Sequence, residues 1–328
     1  MNAVLIDIFY REQAEDPAKW LMRDLGKMKL DNCLVFCFSG HKPHESNFYF
    51  YPALHSKSNE FTFRKYQKER SKYLLGEGPF FTEMVSKTQS LLTYHKISKL
   101  FIFGNNFHLA KKLISLGFDV SNFELGPTRK PYPKFLIFKG GYNKWSQDNI
   151  YSSFDETNYS SESDLHNLSH GEIPLQLAYD SSFFPESSFL SMLEFIKFSE
   201  KFFLSRRDLS IRLKSHPGIS SDKIAKADHK NVLRVTKFKK TRLFIPQPKA
   251  NFILTLSSTY ALEQAINGKP YFHFHDSLLG RSICYEKLNE ILYLKKVPKS
   301  LCLLQQTRAK EIYNSELSLS MLKIILST

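Results

Sequence analysis

The sequence predicts an α/β protein built from two Rossmann-like halves. Three observations carry this. Short apolar runs recur along both halves in the manner of buried parallel strands. Amphipathic stretches alternate with them, as βαβ units require. A Ser-, Asn- and acid-rich segment at 151–170 separates the two series.

In the first half, Ala3–Phe9 and Cys33–Phe38 are apolar runs bounded by polar residues and read as strands. Lys99–Phe103 is a third, followed by Gly-Asn-Asn and an amphipathic stretch from Phe107 to Leu116. Gly117 fits the C′ position that ends such a helix. A further strand then runs through FDVSNFELG and ends near Glu124. The domain boundary is expected near the end of the 151–170 segment, giving an N-terminal domain of residues 1–165 and a C-terminal domain of 166–328.

The second half repeats the rhythm. Residues 186–203 carry a broad apolar stripe at helical spacing, which reads as core packing. Ser210–Leu213 is a strand ending at Lys-Ser-His-Pro-Gly. Asn251–Leu256 is another, leading into SSTYALEQAINGKP, and Tyr271–Phe274 is a third apolar run. No fixed-period repeat is present. Two Rossmann-like halves joined by one linker predict the GT-B architecture, with the two domains facing each other across a cleft that holds the active site.

Composition bounds the function classes. With 42% hydrophobic and 24% charged residues, the 328-residue chain is that of a globular protein. No apolar stretch is long enough for a membrane span. The N-terminus has no basic segment followed by a cleavage site, so a signal peptide is not expected. The four cysteines are too few and too scattered for a disulfide framework, which points to a reducing, cytoplasmic setting. A net charge of +14 implies an anionic partner: nucleic acid, a membrane surface, or a phosphorylated or carboxylated small molecule. The basic clusters at 64–70 and 239–244 adjoin no nucleic-acid motif.

Three constellations could carry chemistry. Ser257 or Ser258 can cap the helix after the 251–256 strand, with Gly268 closing it and Pro270 following. A helix start at the carboxyl end of a parallel strand offers free N–H groups to a phosphate. The hydroxyls of Ser257, Ser258 and Thr259 add donors. Glu263, one turn beyond Thr259, is within reach of a ribose hydroxyl. The same spacing fits an ordinary capped helix with Glu263 solvated. Lys214 and His216 stand at the carboxyl end of their strand, where ligands bind in open α/β sheets. On their own residues they fit a surface turn better. Glu124 before Gly126-Pro127, and Asp180 after a short apolar run, are placed for acid/base or nucleophilic work at an anomeric carbon. Either acid alone is more often a turn residue. Lys139–Lys144 (KGGYNK) lacks the Gly spacing of a P-loop or dinucleotide fingerprint. His273 and His275 alternate along one strand, and without a third ligand they read as structural rather than as a metal site.

Four blocks taken together resemble the bacterial capsule polysaccharide biosynthesis proteins of the KpsC and KpsS type, retaining β-Kdo transferases. They are FELGPTRKPYPKFLIFKGGYN at 123–143, IPLQLAYDSSF at 173–183, IRLKSHPG at 211–218 and LSSTYALEQAINGKP at 256–270. The most specific parts are Gln176 with Asp180-Ser181, and Ser-Ser-Thr with Glu263. The resemblance covers roughly residues 95–275, and the single transferase unit is nearer the KpsS type. It implies a GT-B fold, a CMP-β-Kdo donor, no metal or other cofactor, and retention through a double displacement. Asp180 matches the nucleophile, Glu124 the acid/base carboxylate, and His216 the histidine at the donor phosphate. Ser257, Ser258, Thr259, Glu263 and Gln176 match the nucleotide-binding turn and helix, and Lys214 and Arg129 suit the donor's phosphate and carboxylate.

The donor's two negative groups call for cationic walls, which the composition supplies. The resemblance implies a lipid-linked or other saccharide acceptor, in capsule or lipopolysaccharide synthesis. Peripheral contact with the anionic inner face of the inner membrane would use much of the positive charge. A CMP-sialic acid-dependent sialyltransferase is the first rival. It shares the donor nucleotide and the His-Pro turn, but usually shows two acids before Gly where this chain has Glu124-Leu125-Gly126. A non-enzymatic module for anionic lipid or nucleic acid is the second.

Overall fold

A computed structural model describes residues 1–7, 30, 32–38, 48–51, 72–73, 75–104, 106–128, 132–139, 149–152, 164–176, 192–203, 209–216, 230, 232–236, 239–240 and 249–328. The chain divides into two compact units. One comprises residues 1–143 and 315–328, and the other 144–314.

The first unit is a six-stranded sheet made of β1 (Asn2–Asp7), β2 (Cys33–Phe38), β3 (Phe48–Tyr51), β4 (Lys99–Phe103), β5 (Asp119–Leu125) and β6 (Phe135–Lys139). Its order is β3-β2-β1-β4-β5-β6. All neighbours are parallel except β5 and β6, which pair antiparallel with Glu124 opposite Leu136. This is the doubly wound order, in which connections reverse direction between β1 and β4. Helix α1 (Gly78–Tyr94) opens with Pro79 in its first turn, where the missing N–H costs nothing. Helix α2 (Phe107–Ser115) is capped by Asn106, whose side chain accepts from Leu109 N. Gly117 takes a φ of +92° just beyond it, as its predicted C′ role demands.

The second unit holds a five-stranded parallel sheet of β8 (His170–Pro174), β9 (Ser210–Lys214), β10 (Lys239–Lys240), β11 (Phe252–Thr255) and β12 (Tyr271–His273). Its order is β10-β9-β8-β11-β12, so here the reversal falls between β8 and β11. A two-stranded antiparallel ribbon joins β7 (Leu165–Asn167) to β13 (Lys296–Pro298). Helices α3 (Met192–Phe203), α4 (Tyr260–Ile266), α5 (Tyr285–Leu294) and α6 (Lys299–Asn314) belong to this unit.

Two features depart from the expected division at 165/166. Ile150 and Tyr151 are buried in the second unit. The Tyr151 hydroxyl lies 3.1 Å from the Tyr271 carbonyl and 2.7 Å from His273 Nδ1. The compositional break at 151–170 therefore begins inside that unit, after an anchoring aromatic. The last helix, α7 (Leu319–Ser327), belongs to the first unit. Its Leu322 and Leu326 are buried among Val4, Ile6, Val35, Phe101, Phe123 and Phe135 of the sheet. Asn2 Nδ2 donates to Leu326 O at 3.1 Å, and Leu317 pairs with Phe135. Just before this helix, the Glu316 carboxylate accepts from both the N–H and the hydroxyl of Thr128. It fits against Gly126, where any side chain would collide with it.

Gly171 on β8 is dictated by packing, because a Cβ there would overlap Phe252 and Ile211 of the flanking strands. Gly171→Ala is therefore expected to lower stability by about 1–3 kcal/mol through overpacking. Urea unfolding followed by circular dichroism measures this.

Candidate functional site

The second unit gathers its chemistry at the carboxyl ends of β8, β9 and β11, beside the reversal in strand order. Open α/β sheets bind ligands at this edge. Gln176, two residues past β8, is 3% exposed and joins the two sides of the reversal. Its Oε1 accepts from Ser257 N at 3.1 Å and from Thr255 Oγ1 at 3.4 Å. Its Nε2 donates to Ser257 Oγ at 3.2 Å. Thr255 Oγ1 in turn accepts from Ser258 N at 3.0 Å, and Ser258 Oγ accepts from Tyr260 N at 3.3 Å.

These bonds correct one expectation. The amides of Ser257, Ser258 and Tyr260 are already used inside the protein, so they are not the free N–H groups anticipated for a phosphate. The turn instead presents hydroxyls on a braced backbone. Ser257 Oγ accepts from Gln176, which leaves its own proton to donate. Thr259 is the N-cap of α4 by position, but its side chain makes no capping bond. Ser258 supplies the cap. Glu263 is exposed in the first turn of α4, four residues beyond Thr259.

Below this edge lies a charge network that the motif reading missed. Glu172, in the middle of β8, is 3% exposed. It accepts from Arg212 Nε at 2.6 Å and from Tyr260 Oη at 2.7 Å. Arg212 is its register partner on β9. Lys214, two residues further along the same face, holds its ammonium 4.6 Å from the Tyr260 ring centroid. Burial, and then the hydrogen bond to Glu172, push the Tyr260 phenol well above its ordinary pKa. The sequence carries a trace of it: an acid in HGEIP and a base in SIRLK each sit between apolar neighbours near the middle of a short strand.

The structure thus brings together Gln176, Ser257, Ser258, Thr259 and Lys214, with His216 two residues past the end of β9. Glu124 is in the other unit, partly buried in the last turn of pleat of β5, two residues before the Gly126 turn gripped by Glu316. Asp180 and Arg129 lie outside the described residues, as do most of residues 139–144.

His273 and His275 are both buried. His273 Nε2 faces the Gly280 carbonyl at 3.0 Å, so that nitrogen carries the proton and Nδ1 accepts from Tyr151. Burial pushes its pKa down to about 3. Both ring nitrogens of His273 are engaged within the protein. Among the described residues no group of three or more His, Cys, Asp or Glu side chains could hold a metal ion. Cys33 and Cys302 are buried and Cys284 is exposed. Burial raises the Cys33 thiol to about 12 and the Cys302 thiol to about 11, which makes both inert near neutral pH.

No protein-family model matches the chain, and no curated protein matches it. Among solved structures, it is similar to Thermosulfurimonas dismutans KpsC, a β-Kdo 2,7 transferase, with a TM-score of 0.41 and 10% identity over 94% of this chain and 99% of that one. It is also similar to a UDP-GlcNAc 2-epimerase from Neisseria meningitidis, with a TM-score of 0.36 and 10% identity over 96% and 99% of the two chains. A third is the glycosyltransferase SnogD from Streptomyces nogalater, with a TM-score of 0.35 and 11% identity over 99% of each chain. No helix among the described residues is long and apolar enough to cross a membrane.

Two measurements test this account of the site. Arg212→Met leaves the Glu172 carboxylate buried without its cation, and is expected to cost about 3–5 kcal/mol in a denaturant titration. The second concerns His273, whose folded pKa lies below its unfolded value. Between pH 6.5 and 3 the unfolded chain binds a proton that the folded chain refuses, so its contribution to stability is lost as pH falls through that window. The slope is about 1.4 kcal/mol per pH unit. Urea melts between pH 7 and 4.5 should be shallower in pH for His273→Gln than for the wild type.

Proposed function

We propose that this chain is a glycosyltransferase that moves an acidic sugar, Kdo, from a CMP-activated donor to a lipid-linked or other saccharide acceptor. The observation that carries the reading is the Gln176 junction. It ties the 173–183 block to the 256–270 block at the strand-order reversal, so the two most specific segments of the family resemblance meet where a nucleotide would bind. The hydroxyls of Ser257, Ser258 and Thr259, with Lys214 and His216 alongside, suit the phosphate. Glu263 suits the ribose. Arg129 is assigned to the donor carboxylate.

Retention requires one carboxylate that attacks the anomeric carbon and one that moves protons. Asp180 is assigned the first role and Glu124 the second. In the first step the Asp180 oxygen bonds to the anomeric carbon as the bond to the CMP oxygen breaks, and CMP leaves. In the second, Glu124 takes the proton of the acceptor hydroxyl, whose oxygen displaces Asp180. No metal is assigned to either step. The chain's net charge of +14 supports peripheral attachment to an anionic membrane surface, where a lipid-linked acceptor would reside.

The test is donor turnover by purified protein, read as CMP release in the presence of a saccharide acceptor. CMP-Kdo is expected to be consumed and CMP-sialic acid spared; turnover of sialic acid alone selects the sialyltransferase. Asp180→Ala should abolish the reaction, and Glu124→Gln should slow it about 10²- to 10⁴-fold. Intact mass spectrometry of Glu124→Gln after donor addition should reveal one Kdo residue on Asp180. Full turnover by Asp180→Ala would remove the double displacement. Salt-sensitive binding to anionic vesicles or nucleic acid without any turnover would favour a binding module.

A further inference from the structure

Tyr260 lies within the 256–270 block but has no role assigned there, and it makes two contacts at once. Its hydroxyl donates to the buried Glu172 at 2.7 Å, while its ring carries the Lys214 ammonium at 4.6 Å. Glu172 is itself fixed by Arg212 at 2.6 Å, from the register position directly across the strand pair. A line of contacts therefore runs from a carboxylate inside the sheet, through a phenol ring, to an ammonium at the carboxyl end of β9.

The arrangement solves a problem particular to lysine. A free lysine side chain carries about 2 kcal/mol of rotamer entropy, which an anion would have to overcome on binding. Pairing the ammonium with a carboxylate would order it but also cancel its charge. An aromatic face orders it and leaves the charge available. Among the described residues Lys214 has no carboxylate partner: Glu172 is occupied by Arg212 and Tyr260, and Glu263 is exposed on α4. The β-strand backbone holds Lys214 from the other side, since its carbonyl accepts from Leu175 N at 2.8 Å, one residue before Gln176.

We propose that Tyr260 is a positioning residue that holds Lys214 ready for the phosphate of an incoming nucleotide, and that Glu172 fixes the ring for that purpose. This rests on the reading of the edge as the donor pocket. The residue touches no reacting atom. Its effect falls on donor affinity rather than on the chemical step.

A double-mutant cycle on the full-length chain, with CMP as the titrant in calorimetry, tests the coupling. Tyr260→Leu and Lys214→Met are each expected to weaken CMP binding about tenfold, and the double variant also about tenfold, because the second change removes an interaction already lost. Tyr260→Phe keeps the ring without its anchor and should lose about threefold. A double variant weakened about a hundredfold, the product of the singles, would overturn the proposal, as would a Tyr260→Leu variant that binds CMP like the wild type. Circular dichroism verifies folding, and if Tyr260→Leu is unfolded the cycle is closed with Tyr260→Phe. Should the wild type bind no CMP, the donor reading fails, and the pair is tested separately by acylation of Lys214 followed by peptide mass spectrometry. Faster labelling in Tyr260→Leu supports the held ammonium, and equal rates refute it.

Discussion

A carboxylate inside a parallel sheet sets the terms for the second unit. Glu172 is removed from water, and a buried ion tolerates that only if its charge and its lone pairs are answered. The answers come from both sides of the sheet's reversal: Arg212 from β9, and Tyr260 from the helix that follows β11. Satisfying one acid therefore fastens three segments that are remote in sequence. It also fixes the register of β8 against β9 and the entry angle of α4. A purely apolar residue at 172 would pack, but it would not say where α4 begins.

The same economy appears one layer higher. Gln176 spends both ends of its amide on the turn at 255–257. The amides of Ser257, Ser258 and Tyr260, which an isolated helix start would expose, are consumed. Among the groups that remain for a ligand, the hydroxyls of Ser257 and Ser258 and the Lys214 ammonium are each held by a neighbour. Preorganisation of this kind lowers the ordering cost of association.

Much of this was legible in the sequence where the signal is local. The runs Cys33–Phe38 and Lys99–Phe103 are found at their expected bounds, and Asn106, Phe107 and Gly117 delimit α2 as the pattern foretold. Helix α1 has only Pro79 to mark its start, and nothing local in β6 says that its apolar run pairs antiparallel at a sheet edge. The boundary at 165 followed composition, which cannot register that Tyr151 is buried against His273. In the site, the Ser-Ser-Thr turn was recognisable, but the engagement of its amides was not: Ser257 N is held by Gln176, 81 residues away, and Ser258 N by the Thr255 hydroxyl. Glu172 and Arg212 stand out in the sequence only as charges within strands, and their partnership with each other and with Tyr260 exists only in the fold.

The return of α7 to the first unit has a consequence for how the chain is made. The sheet of β1 to β6 emerges from the ribosome first, yet among the described residues the core around Val4, Val35 and Phe101 includes Leu322 and Leu326, which are made last. Between those events the whole second unit is translated. The first unit therefore gains this part of its core only after the second has been made.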